Sequence, residues 1–570
     1  MMQIIILLTI ICVSILAGIL PSKRHILILF EHTGYYFVFV AFFLWVAYLF
    51  KLYFSKLKSL FLNHYDGLLL SAILIVFIFC IAPPKFKVLS DETNLVGISM
   101  AMYQSKKASL PLRGFNVDFQ KPEYLSKIDK RPILYPLLIS FVHTLRGYSG
   151  YNGFVVNFIC GFLVLFIFYL FIYEHLPRIC ALTSLLIVAS LPIFVIWVTS
   201  SGFETLNLFF ILVTLYIFNK AVSTRSIRHA EFLLLTLVLL SQCRYESIIF
   251  TVAILFLVPI HFNKKSIASL SISTYLTPIL FIPILWLPRL YADRPIVDKM
   301  AMGAVHVPSL FDAFSVSSLI SNSASNLIVF LGFDPQLGFS PVVSAMSLVG
   351  LYLIVKKLIV GRKSTSSQFR TMWLFGTITF CLLYFIQVSF FLGDMTIATQ
   401  NRFAMAYLPY IVLPAMYFIH KIVNQVNISN KIFVWIFFGF HLLYFWPYGS
   451  QQLLVNRGTI PFEYNKTLDY IRHSYESHSK ILVICERPNF YIVHYQGALD
   501  FKYANQNSEL VIDKVAKDFD HILVLQKCLH ETRAPLKTSH LNKSYRLVDL
   551  KTLKLTQTEY LKISKLISDN

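Results

Sequence analysis

The chain alternates between long apolar runs and short polar breaks, and the length of the runs gives the first reading. Apolar stretches lie near residues 3–20, 34–53, 66–83, 153–173, 179–198, 203–219, 230–243, 246–262, 272–289, 341–359, 372–392, 403–420 and 432–448. Most approach the length a helix needs to cross roughly 30 Å of hydrocarbon. The pattern predicts a polytopic α-helical membrane protein with about thirteen transmembrane helices, the 230–243 run being the shortest. No basic residue precedes the first run and no clear small-residue cleavage site follows it, so it reads as a retained span.

Past residue 449 the pattern changes. A helix-like stretch at 465–478 leads into an apolar run at 480–485, and a second such run follows at 521–525. Short continuous apolar runs separated by helix-length polar stretches predict buried strands in an α/β layer. The expected division is a membrane part, 1–449, with long loops at 84–152 and 290–340, and a small C-terminal α/β domain, 450–570.

Composition agrees with the spans. The 570 residues are 56% hydrophobic and 14% charged, with a mean hydropathy of +0.65, whereas an ordinary soluble chain is about 25% charged. Phe contributes 52 residues and Tyr 31, enough to furnish helix faces and interface belts. The net charge of +21 would suggest nucleic acid in a soluble protein. Here cytoplasmic loops and anionic headgroups account for it, and no nucleic-acid module is present.

The loops suggest an orientation. With the N-terminus in the cytoplasm, strict alternation puts Lys51, Lys56 and Lys58 inside, then Arg178, then Lys220, Arg225 and Arg228. Lys264 and Lys265 follow, then Lys356, Lys357, Arg362, Lys363 and Arg370, and finally Lys421 and Lys431. That is the positive-inside bias, with 22–25 running against it. Both long loops and the tail then share the outer side.

Chemistry gathers on that side. Asp91 and Glu92 open the first long loop, where they serve either as a helix cap or as a general base and electrostatic partner. Lys106, Lys107, Arg113, Lys130 and Arg131 follow, a basic set suited to an anionic headgroup or to lipid phosphates, and Tyr135 lies just beyond. Glu204, the Arg244-Tyr245-Glu246 run and Arg402 sit at outer span ends, as cavity groups or as internal glue. Two adjacent acids with His306 would allow a divalent metal, though no ligand spacing is diagnostic. Cys485 and Cys528 would be able to pair outside the cytoplasm. Each also sits in an apolar strand-like run, as a core cysteine does.

In order and spacing these places resemble the GT-C membrane glycosyltransferases, particularly the bacterial aminoarabinose transferases and the protein O-mannosyltransferase-like enzymes. The resemblance covers about residues 66–450. It rests on Asp91-Glu92, on the segment 131–136 (Arg-Pro-Ile-Leu-Tyr-Pro), on Arg244-Tyr245-Glu246, and on Arg402 with Pro409. It implies a bacterial cytoplasmic-membrane enzyme that transfers a sugar from a polyprenyl-phosphate donor to an envelope lipid, glycan or protein, with inversion. Asp91 would be the catalytic base, supported by Glu92, and Arg131 would hold the donor phosphate with Lys106, Lys107 or Arg402. The chain departs from the pattern at Asn94-Leu95, where aminoarabinose-type relatives carry Arg-Tyr, so the sugar is not specified. A surface-polysaccharide polymerase or ligase is the nearest alternative. A transporter, which would place ionisable groups near span midplanes, is the other.

Overall fold

The computed structural model describes residues 2–115, 123–254, 271–291, 314–334, 338–360, 366–390, 392–426, 459–476, 478–509 and most of 511–567, with short strands at 296–298 and 305–307. Among the described residues, six helices are long and apolar enough to cross a membrane, or seven if one bent pair counts as a single span. Of the thirteen expected spans, some fall short for physical reasons and others are not fully described. The run at 179–198 is two helices, Arg178–Ser190 and Pro192–Val198, bent by 68°. Pro192 has no N–H to continue the first helix, and it holds Leu191 in extended backbone. The run at 272–289 divides at Phe281, and the helix Tyr65–Ile81 has 17 residues. The run at 432–448, apart from Gly439 and His441, lies outside the described residues, as does the end of 246–262.

The segment 290–340, a loop by its polarity, contains an apolar helix, Val316–Leu331. It docks on the end of the span Ser367–Ser389: Asn322 donates to the carbonyls of Val388 and Phe390 at 2.8 and 2.9 Å, and Asn326 donates to that of Gly393 at 3.0 Å. Inside the bundle, small residues let helices approach closely. A side chain at Gly350 would meet the Pro414 backbone at 1.9 Å, so the helices Pro341–Val360 and Leu408–Val426 need glycine there.

The C-terminal residues form a β-sheet, and the first loop completes it. With the short strands Ile296–Asp298 and Val305–Val307 numbered β3 and β4, this sheet has seven strands. β1 (Leu110–Phe115) and β2 (Glu123–Lys127) come from the loop. β5 (Ile481–Ile484), β6 (Gly497–Leu499), β7 (His521–Leu529), β8 (Arg546–Lys554) and β9 (Glu559–Ile567) come from the tail. β5 is parallel to both β6 and β7, and β1 joins β6 antiparallel. The alternation of side chains along β5 divides the core. Ile481 and Val483 belong to the core shared with the membrane helices, while Leu482 and Ile484 belong to a second core with Phe501 and Val524. Cys485 and Cys528 are both buried and free, so each acts as a small apolar group and the pairing considered above does not form.

Candidate active site

Pro83 and Pro84 end the helix before them, and a buried turn carries the chain into the helix Leu89–Ser105, whose first turn holds Asp91 and Glu92. The two acids point to different tasks. Glu92 is 1% exposed. It accepts from the backbone N–H groups of Lys87 and Val88 and, across the fold, from that of Ser201 at 2.9 Å. The Lys87 ammonium donates to the Ile196 carbonyl and to Thr199 Oγ1. Glu92 and Lys87 therefore fasten the start of the helix to the end of the bent span. Burial raises the Glu92 carboxyl and lowers the Lys87 ammonium, so each moves toward its neutral form.

Asp91 faces outward from that fastening, half-buried between two guanidiniums. One oxygen pairs with Arg131 Nη2 and the other with Arg402 Nη1. Burial on its own would raise this carboxyl; the Arg131 and Arg402 charges outweigh it and hold Asp91 well below the usual carboxylate range. Arg131 divides its fork. Nη2 goes to Asp91, while Nη1 lies 2.6 and 2.8 Å from the two oxygens of Asp129. Asp129 also accepts from the Arg131 backbone N–H at 3.0 Å and from Asn94 Nδ2 at 3.0 Å.

A second layer lies behind Arg402. Its Nη1 is 3.4 Å from Glu204, which is 3.8 Å from Arg244 Nη1. Arg244 pairs with Glu246 at 2.5 Å, and its guanidinium sits 5.1 and 4.7 Å from the Phe203 and Phe403 rings. Tyr245 stays largely exposed beside it. Tyr135 is buried and donates to the Gly153 carbonyl at 2.9 Å, so it braces the helix that follows Arg131. The carboxylates of Asp91, Asp129, Glu204 and Glu246 face the cations of Arg131, Arg402, Arg244 and Lys130, leaving the cluster close to charge balance.

Next to the cluster is a cavity of about 200 Å³ lined by Asn94, Lys127, Ile128, Asp129, Lys130, Arg131 and Tyr291. Lys130 is exposed and makes no hydrogen bond or ion pair among the described residues. Three other expected cations have different neighbours. Lys106 caps its helix in left-handed backbone (φ 57°) and lies 5.4 Å over the Tyr35 ring. Lys107 faces Glu31 at 3.4 Å, and Arg113 pairs with Asp500 of the C-terminal domain at 2.7 Å. The structure thus unites Asp91, Arg131 and Arg402 with Glu204, Arg244 and Glu246, keeps Lys130 at the cavity, and places Lys106, Lys107 and Arg113 with other partners.

The sequence reading missed Asp129, Lys87 and the Asn94 amide. Asp129 carried a signal, since it is the one acid in the run Lys127–Arg131 and stands two residues before Arg131. Among the described residues no group of three His, Cys, Asp or Glu side chains converges as a metal site. The side chain of His306 lies outside the described residues.

Residues 130–290 match the model of a family described as dolichyl-phosphate-mannose-protein mannosyltransferase. The match begins at the Lys130-Arg131 pair and runs through Tyr135, Glu204, Arg244 and Glu246. It supports the resemblance to GT-C membrane glycosyltransferases over that segment. No curated protein matches the chain. Among solved structures, ArnT from Cupriavidus metallidurans bound to undecaprenyl phosphate is 9% identical, with 88% of this chain and 98% of that one covered and a TM-score of 0.48. The Archaeoglobus fulgidus oligosaccharyltransferase complex with Zn and sulfate is 10% identical, with 80% and 67% covered and a TM-score of 0.47.

Proposed function

We propose that this chain is a membrane glycosyltransferase that takes a sugar from a polyprenyl-phosphate donor and gives it to an envelope lipid, glycan or protein at the outer face of a bacterial cytoplasmic membrane. The observation that carries this reading is the position of Asp91 between Arg131 and Arg402, beside a cavity where Lys130 is unpaired. The family match at residues 130–290 supports it. The recurrence of basic residues at alternate turns supports an inward N-terminus and an outer C-terminal domain.

The chemistry follows from the charges. Both guanidiniums are engaged by Asp91. A donor phosphate offers the same forked acceptor geometry and would draw Arg131 or Arg402 toward itself. Asp91 would then lose the charges that depress its proton affinity and become a better base. The acceptor oxygen attacks the anomeric carbon as its proton passes to Asp91. The bond from that carbon to the phosphate oxygen breaks, and polyprenyl phosphate leaves with the electron pair. Negative charge grows on the phosphate during this step, so the fixed cations bind the transition state more tightly than the ground state. Attack opposite the leaving phosphate inverts the anomeric centre.

The test is turnover by the purified full chain. Polyprenyl phosphates carrying a hexose, a pentose or an amino sugar are each offered with envelope extract, and release of polyprenyl phosphate is measured. Release from one donor class that depends on Asp91 is the expected result. No release from any donor, alongside extract that stays unmodified, would sink the reading.

A further inference from the structure

Among the described residues, a line of polar contacts joins the C-terminal domain to the cluster. The domain's short helix Pro488–Tyr491 packs on the helix that begins with Asp91, and Asn489 Nδ2 donates to Asn94 Oδ1 at 3.3 Å. Asn94 Nδ2 donates in turn to Asp129 Oδ2 at 3.0 Å, and Asp129 holds Arg131 Nη1 from both oxygens. Arg131 Nη2 completes the line at Asp91.

Geometry makes this line directional. An amide has one acceptor end and one donor end. The bond from Asn489 occupies the oxygen of Asn94, and this fixes its nitrogen toward Asp129. Asp129, 6% exposed, then spends both oxygens on Asn94 and Arg131. A guanidinium is rigid and planar, so holding Nη1 at Asp129 restricts where Nη2 can point. The direction here is toward Asp91 and the cavity.

We propose that Asn489, Asn94 and Asp129 are positioning residues through which the C-terminal domain sets the orientation of Arg131. The inference rests on the donor reading given above. It makes the domain part of the donor site and not merely a cover over the membrane helices. The loop strand β2 ends two residues before Asp129 and belongs to the same sheet as β5 and β6, which flank Asn489 in sequence, so both ends of the line adjoin one sheet.

The test is a double-mutant cycle on the full chain in detergent, read as affinity for polyprenyl phosphate. Asn489→Ala is measured alone and in an Arg131→Lys background, and Asp129→Asn is measured in the same two backgrounds. Lysine keeps the charge of Arg131 but has no fork for Asp129 to orient. The expected result is a three- to tenfold loss for Asn489→Ala and for Asp129→Asn with arginine at 131, and almost none with lysine there. An equal loss in both backgrounds, or no loss in either, overturns the relay. If the unaltered chain binds no polyprenyl phosphate, the donor reading fails and this inference falls with it. Should Asn489→Ala lower thermal stability, the Asp129→Asn cycle, which changes one atom, decides the matter.

Discussion

Asp91 and Arg402 come from opposite ends of the membrane part and meet in one ion pair, with Arg131 on the second oxygen of the same carboxylate. If Asp91 is the base, Asp91→Asn removes the proton acceptor but leaves a side chain of the same shape. Turnover is expected to fall by about 10²–10⁴, the range of a positioned general base. Both guanidiniums would be released from the carboxylate, so polyprenyl phosphate should bind at least as tightly as before. Single-turnover kinetics and equilibrium binding check the two halves. Retained turnover rejects the base assignment, and weakened binding rejects the competition between Asp91 and phosphate.

Glu92 stands next to Asp91 and is expected to behave differently. It accepts three backbone N–H groups from two parts of the chain, and glutamine would offer one acceptor oxygen in place of two. Leaving a buried donor unsatisfied costs about 1–3 kcal/mol. Glu92→Gln should therefore lower the midpoint of thermal unfolding in detergent while the folded fraction keeps most of its turnover. An unchanged midpoint with lost turnover would give Glu92 a chemical role instead.

Arg113 separates a local ion pair from a donor contact. It is paired with Asp500 at 2.7 Å and lies 4.8 Å from the Tyr503 ring, so its charge is already engaged with the C-terminal domain. Arg113→Ala is expected to cost no more than about 1 kcal/mol, as for a partly exposed pair, and to leave the donor concentration for half-maximal rate unchanged. A raised donor requirement would return Arg113 to the phosphate. Arg131→Ala supplies the contrast, because there the requirement should rise.

The legible parts of this protein were those that depend on local pattern. Run length predicts a polytopic helical membrane protein but overcounts the spans, thirteen against six or seven among the described residues. The continuous apolar stretches at 480–485 and 521–525 form the central strands β5 and β7. The bend at Pro192 was visible in principle, since proline halts a hydrogen-bond ladder wherever it falls. The sheet partner of the tail was not visible, because β1 is separated from β6 by most of the chain and no periodicity encodes a pairing at that distance. The same limit applies to the site. Asp91, Arg131 and Arg402 stand out as charges at span ends, whereas Asp129, the one acid in a basic run, does not. Its role depends on which atom of Arg131 it holds, and only three-dimensional placement fixes that.

Two buried histidines outside the spans, His143 and His494, make stability depend on pH. His143 accepts from Asn152 at Nδ1 (2.8 Å) and meets the Ser99 hydroxyl at Nε2 (3.0 Å). Ser99 gives its own proton to the Val96 carbonyl, so His143 donates from Nε2 as the neutral ring. Burial lowers it from 6.5 to about 4. His494 packs among the rings of Phe86, Tyr151 and Tyr464, and burial lowers it from 6.5 to about 3. A lowered histidine binds its proton more readily in the unfolded chain, so the folded state is favoured fully above about 6.5 and loses ground as pH falls toward 4. Asp91 acts in the same sense below 3.8, where the carboxyl of the unfolded chain takes up a proton that the ion-paired one in the folded chain does not. The thermal midpoint in detergent should therefore decline between pH 6.5 and 4. His494→Phe, which keeps an aromatic ring in the pocket and removes the titrating nitrogen, should make that decline shallower. A slope identical to that of the unaltered chain would show that His494 enters the folded state already protonated, contrary to its surroundings.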